Sequence, residues 1–192
     1  MAEGSTIFIP DISGYTRFMS QTQLDHNAMI LSMLIECIID CNKAEFTVSE
    51  VEGDAVLFYK IGPPVGWNEM MEHCAEMHRC FHEKLIEMKA NAPCNCEACE
   101  EIHNLTLKFV VHYGDLNVIP VAHFRKATGM DMIIAHRLLK NHIPSKEYIL
   151  VTHAYRKYFP AGDDASGLTW KQGQESYDNI GVVDYHYAQI DG

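Results

Sequence analysis

Asp11 and Asp54 stand in frames suited to holding a hard cation. Asp11 closes the apolar run Thr6-Ile7-Phe8-Ile9-Pro10 and is followed by Ile12-Ser13-Gly14-Tyr15-Thr16. Asp54 follows Glu50-Val51-Glu52-Gly53 and precedes Ala55-Val56-Leu57-Phe58-Tyr59. The first frame reads as a strand running into a Ser-Gly loop and then a helix. The second reads as two short strands joined by a tight turn at Gly53. Mg²⁺ takes oxygen ligands, usually one or two carboxylates plus substrate phosphates. Two carboxylates at strand ends beside a helix-opening loop can therefore hold the ion against a polyphosphate. Both residues also have structural uses, Asp11 as a helix cap and Asp54 as a turn residue.

A second group of candidate ligands lies in the middle of the chain. Cys94, Cys96 and Cys99, with His103 four residues on, offer three thiolates and an imidazole within ten residues. Tetrahedral Zn²⁺ accepts such a Cys₃His set, which would make this a structural zinc loop. The C-x-C-x-x-C spacing is not a standard zinc-finger spacing, and reduced thiols without a metal are the other reading. Cys80 or His82 would add a ligand if the preceding helix packs alongside.

The elements that must position these groups follow from apolar periodicity. Residues 6–12 read as a strand, and 17–42 as a helix with Leu24, Ala28, Leu31, Leu34, Ile35 and Ile38 on one face. Residues 45–51 and 54–61 read as a hairpin stopped by Gly62-Pro63-Pro64. From Trp67 to Met88 apolar side chains recur every three or four residues, which predicts a helix over 66–90. The Cys-bearing loop, an insertion over 93–103, leads to a strand at 105–113. A turn at Gly114-Asp115 is expected next, then a strand at 116–124 and a helix from Thr128-Gly129 to near Asn141. A strand at 148–152, a short helix at 153–159, an irregular stretch at 160–179 and a last strand at 182–190 complete the order. This is an α+β chain with a ferredoxin-like βαββαβ core, one helical face and added C-terminal strands and helices.

With 192 residues, 47% of them hydrophobic and 21% charged, the chain reads as one globular domain over 1–192. Fifteen Lys and Arg against 26 Asp and Glu give a net charge of −11, which argues against nucleic acid or an anionic membrane as partner. No apolar run has the length of a membrane span, and Met1-Ala2-Glu3-Gly4-Ser5-Thr6 lacks the basic region of a signal peptide. Seven cysteines, an odd number, with Cys37, Cys41 and Cys74 inside helical stripes, suit reduced thiols and a cytoplasmic location.

Four segments together carry a resemblance to the class III nucleotide cyclase catalytic domain, in an uncharacterised bacterial branch. They are Phe8–Thr16, Glu50–Ala55, His112-Tyr113-Gly114 and, in part, Thr128–Leu138, in the family's order and spacing. The resemblance implies that Asp11 and Asp54, with the Ile12 carbonyl, bind two Mg²⁺ or Mn²⁺ ions. One would activate a ribose 3′-hydroxyl and the other would bridge the triphosphate of a nucleoside triphosphate. Ser13, Gly14, Tyr15 and Thr16 would offer backbone N–H groups to phosphate oxygens. Glu50 and Lys126 fall at the base-reading positions. A glutamate there suggests guanine, but Lys126 could neutralise Glu50 instead, so the base stays open. Arg137 would stabilise charge on the α-phosphate. The family's head-to-tail homodimer would bring Arg137 of one protomer to the aspartates of the other.

Two departures oppose ordinary turnover. Ile133 stands where the family has its catalytic asparagine, and no cation falls at Asp178–Ile180, where it has a phosphate-binding lysine. Two functions therefore fit: a metal-dependent cyclase that converts a nucleoside triphosphate to a 3′,5′-cyclic nucleotide and pyrophosphate, or a catalytically silent sensor or scaffold on the same fold.

Overall fold

The run Ile7-Phe8-Ile9 is apolar at consecutive positions because its strand is covered on both faces. Ile7 and Ile9 enter one buried cluster, while Phe8 and Ile12 enter the other. That strand, β1 (Glu3–Ser13), lies inside a sheet with β2 (Thr47–Glu52), β3 (Ala55–Ile61), β4 (Thr106–Val121), β5 (Phe124–Thr128), β6 (Tyr148–Thr152), β7 (Lys171–Tyr177) and β8 (Gly181–Gln189). The structure, a computed structural model, describes residues 2–21, 24–91, 101–160 and 164–190. The helices are α1 (Tyr15–Gln21), α2 (Leu24–Asp40), α3 (Trp67–Ala90), α4 (Met130–Arg137) and α5 (His153–Arg156), with a 3₁₀ turn at Ile102–Asn104. No helix among the described residues is long and apolar enough to cross a membrane.

Strand order is β2-β3-β1-β4-β6-β8-β7, with β5 paired to β4 off this path. The pairs β2–β3, β3–β1 and β1–β4 are antiparallel, as in the expected βαββαβ core, and β4–β6 is parallel. The cluster built on Phe8, Phe58 and Phe109 is covered by α2 and α3 through Leu34, Ile38, Met70, Met77 and Phe81. The methionine-rich stripe of α3 is thus core, with Met70 and Met77 at 0% and 1% exposure.

Three expectations need correction. The sheet has a second covered face: Met132 and Ala135 of α4 pack with Ile7, Ile9, Val110 and Leu150. Gly114-Asp115 is not a turn, because β4 runs straight through it, pairing Thr106–Leu116 with β1 and Asn117–Val121 with β5. The chain reverses at Ala122 instead, where φ is 51°. The stretch 160–179 contains strand β7, paired along its whole length with β8. Its polar sequence Lys-Gln-Gly-Gln-Glu-Ser-Tyr hides it, since an edge strand needs little apolar alternation.

Candidate active site

The two aspartate frames meet at one edge of the sheet. Asp11 pairs in register with Ala55, the residue after Asp54, and the Ile12 amide donates to the Asp54 carbonyl at 3.1 Å. The β2–β3 loop is only Gly53-Asp54, because Glu52 already pairs with Ala55. Gly53 adopts φ +62°, which places Asp54 at the tip beside the end of β1. A cleft of about 830 Å³ opens here, lined by Asp11, Ile12, Asp54 and the Ser13–Thr16 segment.

Lys108 of β4 also enters this cleft, and it alters the electrostatics. Its Nζ lies 3.1 Å from Asp11 Oδ2 and donates to the Leu139 carbonyl at 3.3 Å. Asp11 is only 8% exposed. Burial pushes its carboxyl pKa up to about 6. Lys108 pulls it down, and repulsion from Asp54 pushes it up again. Asp54 is also raised, first by burial. Two carboxylates thus converge where ionisation is disfavoured and one ammonium only partly compensates. An added divalent cation would relieve that charge, so the donor set fits one. Because Lys108 already occupies Asp11 Oδ2, the fit is better for one ion than for the two the resemblance implies.

The far wall comes from α4 and the segment after it, with His136, Arg137, Lys140, Ser145 and Lys146. Five Lys and Arg line the cleft against three carboxylates, in a chain with 15 and 26 of them. The cleft therefore reverses the sign of the chain as a whole. Arg137 lines it together with Asp11 and Asp54 of its own chain. Tyr177 of β7 donates to the Arg137 carbonyl at 3.0 Å and holds the end of α4 in place.

The start of α4 is anchored by the third resemblance segment. His112 is 2% exposed; its Nδ1 lies 2.8 Å from Thr152 Oγ1 and its Nε2 2.8 Å from Asp131 Oδ1. Asp131 also accepts from the Asp115 amide at 2.8 Å. Gly114 makes room for this carboxylate: a Cβ there would stand 2.1 Å from Asp131 Cγ. Its role is close approach, not reversal of the chain. Gly114→Ala is expected to lower stability by about 1–3 kcal/mol in urea unfolding, by overpacking against Asp131. A variant as stable as the parent would contradict that account.

Other expected site residues fall elsewhere. Glu50 and Lys126 bind each other at 2.8 Å, and neither lines the cleft, so the neutralising role is the one seen. α1, which follows the Ser-Gly loop, is only seven residues long, so its dipole at the phosphate site is weaker than that of a full helix. Ile133 is 48% exposed and offers no donor. Asp178–Ile180 is the turn between β7 and β8 and contains no cation. Cys94, Cys96 and Cys99 lie outside the described residues, while His103 sits exposed in the 3₁₀ turn. Reading the sequence missed Lys108, Lys140 and Lys146. Lys108 alone left a signal, a cation inside the apolar strand Leu105-Thr106-Leu107-Lys108-Phe109-Val110.

Comparison with known proteins agrees with this architecture. A family model described as "Protein of unknown function (DUF2652)" matches residues 31–148. "Uncharacterized protein Rv2561/Rv2562" of Mycobacterium tuberculosis is 28% identical over 163 residues, 83% of this chain and 73% of that protein. The adenylyl cyclase CyaB from P. aeruginosa superimposes with a TM-score of 0.70 at 14% identity, covering 100% of this chain and 96% of that one. The guanylate cyclase domain of RhGC from Catenaria anguillulae, solved in complex with GTP, gives 0.65 at 14% identity, covering 99% and 98%. At these identities the likeness is one of fold.

Proposed function

The chain belongs to the family described as "Protein of unknown function (DUF2652)", and from its cleft we propose that it binds a nucleoside triphosphate together with a divalent ion. The carrying observation is the gathering of Lys108, Arg137, Lys140 and Lys146 around Asp11 and Asp54 in an otherwise acidic chain. Cationic side chains on one wall suit phosphoryl oxygens, and Arg137 can offer two parallel donors to a non-bridging pair. Asp11 and Asp54 would hold Mg²⁺ or Mn²⁺, which supplies charge neutralisation for the phosphates when bound. Lys108 keeps Asp11 ionisable inside its buried pocket. The fold likeness to a cyclase domain solved with GTP supports the same ligand class.

Cyclisation of that nucleotide is the enzymatic form of this reading. In this form Lys140 and Lys146, which line the cleft, would supply the phosphate-binding cation absent from the β7–β8 turn. Ile133 provides nothing in place of the asparagine, and loss of one preorganised donor costs on the order of 10²–10³ in rate. That observation favours the second reading, a nucleotide-binding sensor without turnover. Calorimetry with each nucleoside triphosphate and Mn²⁺, alongside an assay for cyclic product, separates the two. Binding is expected to weaken about 30-fold or more in Lys146→Ala combined with Arg137→Ala, on the scale of charge-assisted hydrogen bonds. No nucleotide binding in the parent protein would end both readings.

A further inference from the structure

We propose that His78, His82 and Glu147 form a zinc site, separate from the nucleotide cleft, that pins α3 to the start of β6. His78 and His82 lie four residues apart on α3 and so share a face, and Glu147 immediately precedes β6. Their ligating atoms converge. His82 Nε2 is 2.7 Å from Glu147 Oε1, His78 Nε2 is 3.1 Å from the same oxygen, and the two nitrogens are 3.1 Å apart.

Protons alone satisfy this triangle poorly. If both imidazoles donate to the carboxylate oxygen, two N–H groups crowd onto one acceptor with their nitrogens only 3.1 Å apart. If one imidazole presents a lone pair to the other, that lone pair also faces the carboxylate oxygen, and two acceptors meet. A cation at the centre receives a lone pair from each vertex and removes the conflict. Zn²⁺ bonds of about 2.0–2.1 Å in a tetrahedron set ligand atoms about 3.3 Å apart, wider than the edges seen here by about 0.2–0.6 Å. Two imidazoles and one carboxylate suit Zn²⁺, whereas Mg²⁺ and Ca²⁺ take oxygen ligands.

The site also has a way in and a place in the fold. The His78 side chain is 10% exposed, Glu147 22% and His82 35%, so solvent reaches the ion from the His82 side and can supply a fourth ligand. Neighbouring residues before and within β6 serve different partners: Lys146 and Tyr148 line the nucleotide cleft, Tyr148 also entering the cluster beneath α4, while Glu147 between them turns to α3. Among the described residues this is a set of three ligands from two elements that no role in the cleft explains.

The test uses the full chain, stripped with a chelator and titrated with Zn²⁺ by competition against a zinc dye, and with Co²⁺ by absorption. The parent is expected to bind one Zn²⁺ equivalent that is weakened about 100-fold or more in both His82→Gln and Glu147→Gln. Asp54→Asn should leave that equivalent intact. The corresponding Co²⁺ spectrum should show tetrahedral visible bands without a sulfur charge-transfer band. The His82 side chain is 35% exposed, so its variant retains the packing of α3, which far-ultraviolet circular dichroism checks. Zinc binding unchanged in both variants, no zinc bound by the parent, or a sulfur band as the sole cobalt signal would each overturn the assignment.

Discussion

Lys108→Met is expected to destabilise the protein by about 2–4 kcal/mol at neutral pH and, in the same variant, to tighten Mn²⁺ binding. The side chains of Lys108 and Asp11 are 17% and 11% exposed, so the pair is mostly desolvated. Removing one partner of such a pair leaves an uncompensated buried charge, and the usual cost is about 3–5 kcal/mol. The lower range applies here because Asp11, already pushed up to about 6, can take a proton instead. Methionine preserves most of the stem's packing, so the effect reports charge. With the ammonium gone, a divalent ion can take its place at Asp11 Oδ2, displacing the proton, and so recovers more stability than in the parent. Urea unfolding with and without Mn²⁺ measures both effects. Equal stability and equal Mn²⁺ affinity in parent and variant would show that Lys108 does not control the site.

Asp11→Asn should change the shape of the pH–stability curve. The folded-state pKa of Asp11, about 6, lies above the ordinary aspartate value of 3.8, so the native state binds this proton more tightly than the unfolded chain. Stability contributed by the protonated form is therefore full below pH ~4 and is lost as pH rises through ~6. The accumulated loss is on the order of 3 kcal/mol, at 1.36 kcal/mol per unit. Asparagine cannot ionise, so the difference between variant and parent should grow by about that amount between pH 4 and pH 7. A residual slope persists from Asp54, which is shifted in the same direction. Saturating Mn²⁺ should stabilise the parent at neutral pH and leave the variant nearly unaffected. Parallel curves for the two proteins would refute the raised pKa.

The core of the fold was legible because its signals are local. Ile7-Phe8-Ile9, the apolar stripe from Trp67 to Leu85 and the Gly53-Asp54 turn each announce an element within a few residues. Strand β7 was not legible. Its residues are polar, and its place depends on β8 and on Glu175, which accepts from the His142 amide at 2.9 Å. Gly114 misled for a related reason. Glycine beside aspartate usually marks a turn, and only the Asp131 carboxylate, seventeen residues on, explains why a side chain is excluded there.

The sequence by itself determined the α+β order, the two aspartates and the apolar Ile133, since each is a matter of residue type and near spacing. Tertiary structure alone decided that Lys108 pairs with Asp11, that Arg137 lines its own chain's cleft, and that His78 and His82 meet Glu147. The physical reason is one of distance along the chain. Periodicity reports which face a side chain takes, but a charge acquires its partner only when strands far apart in order are laid side by side.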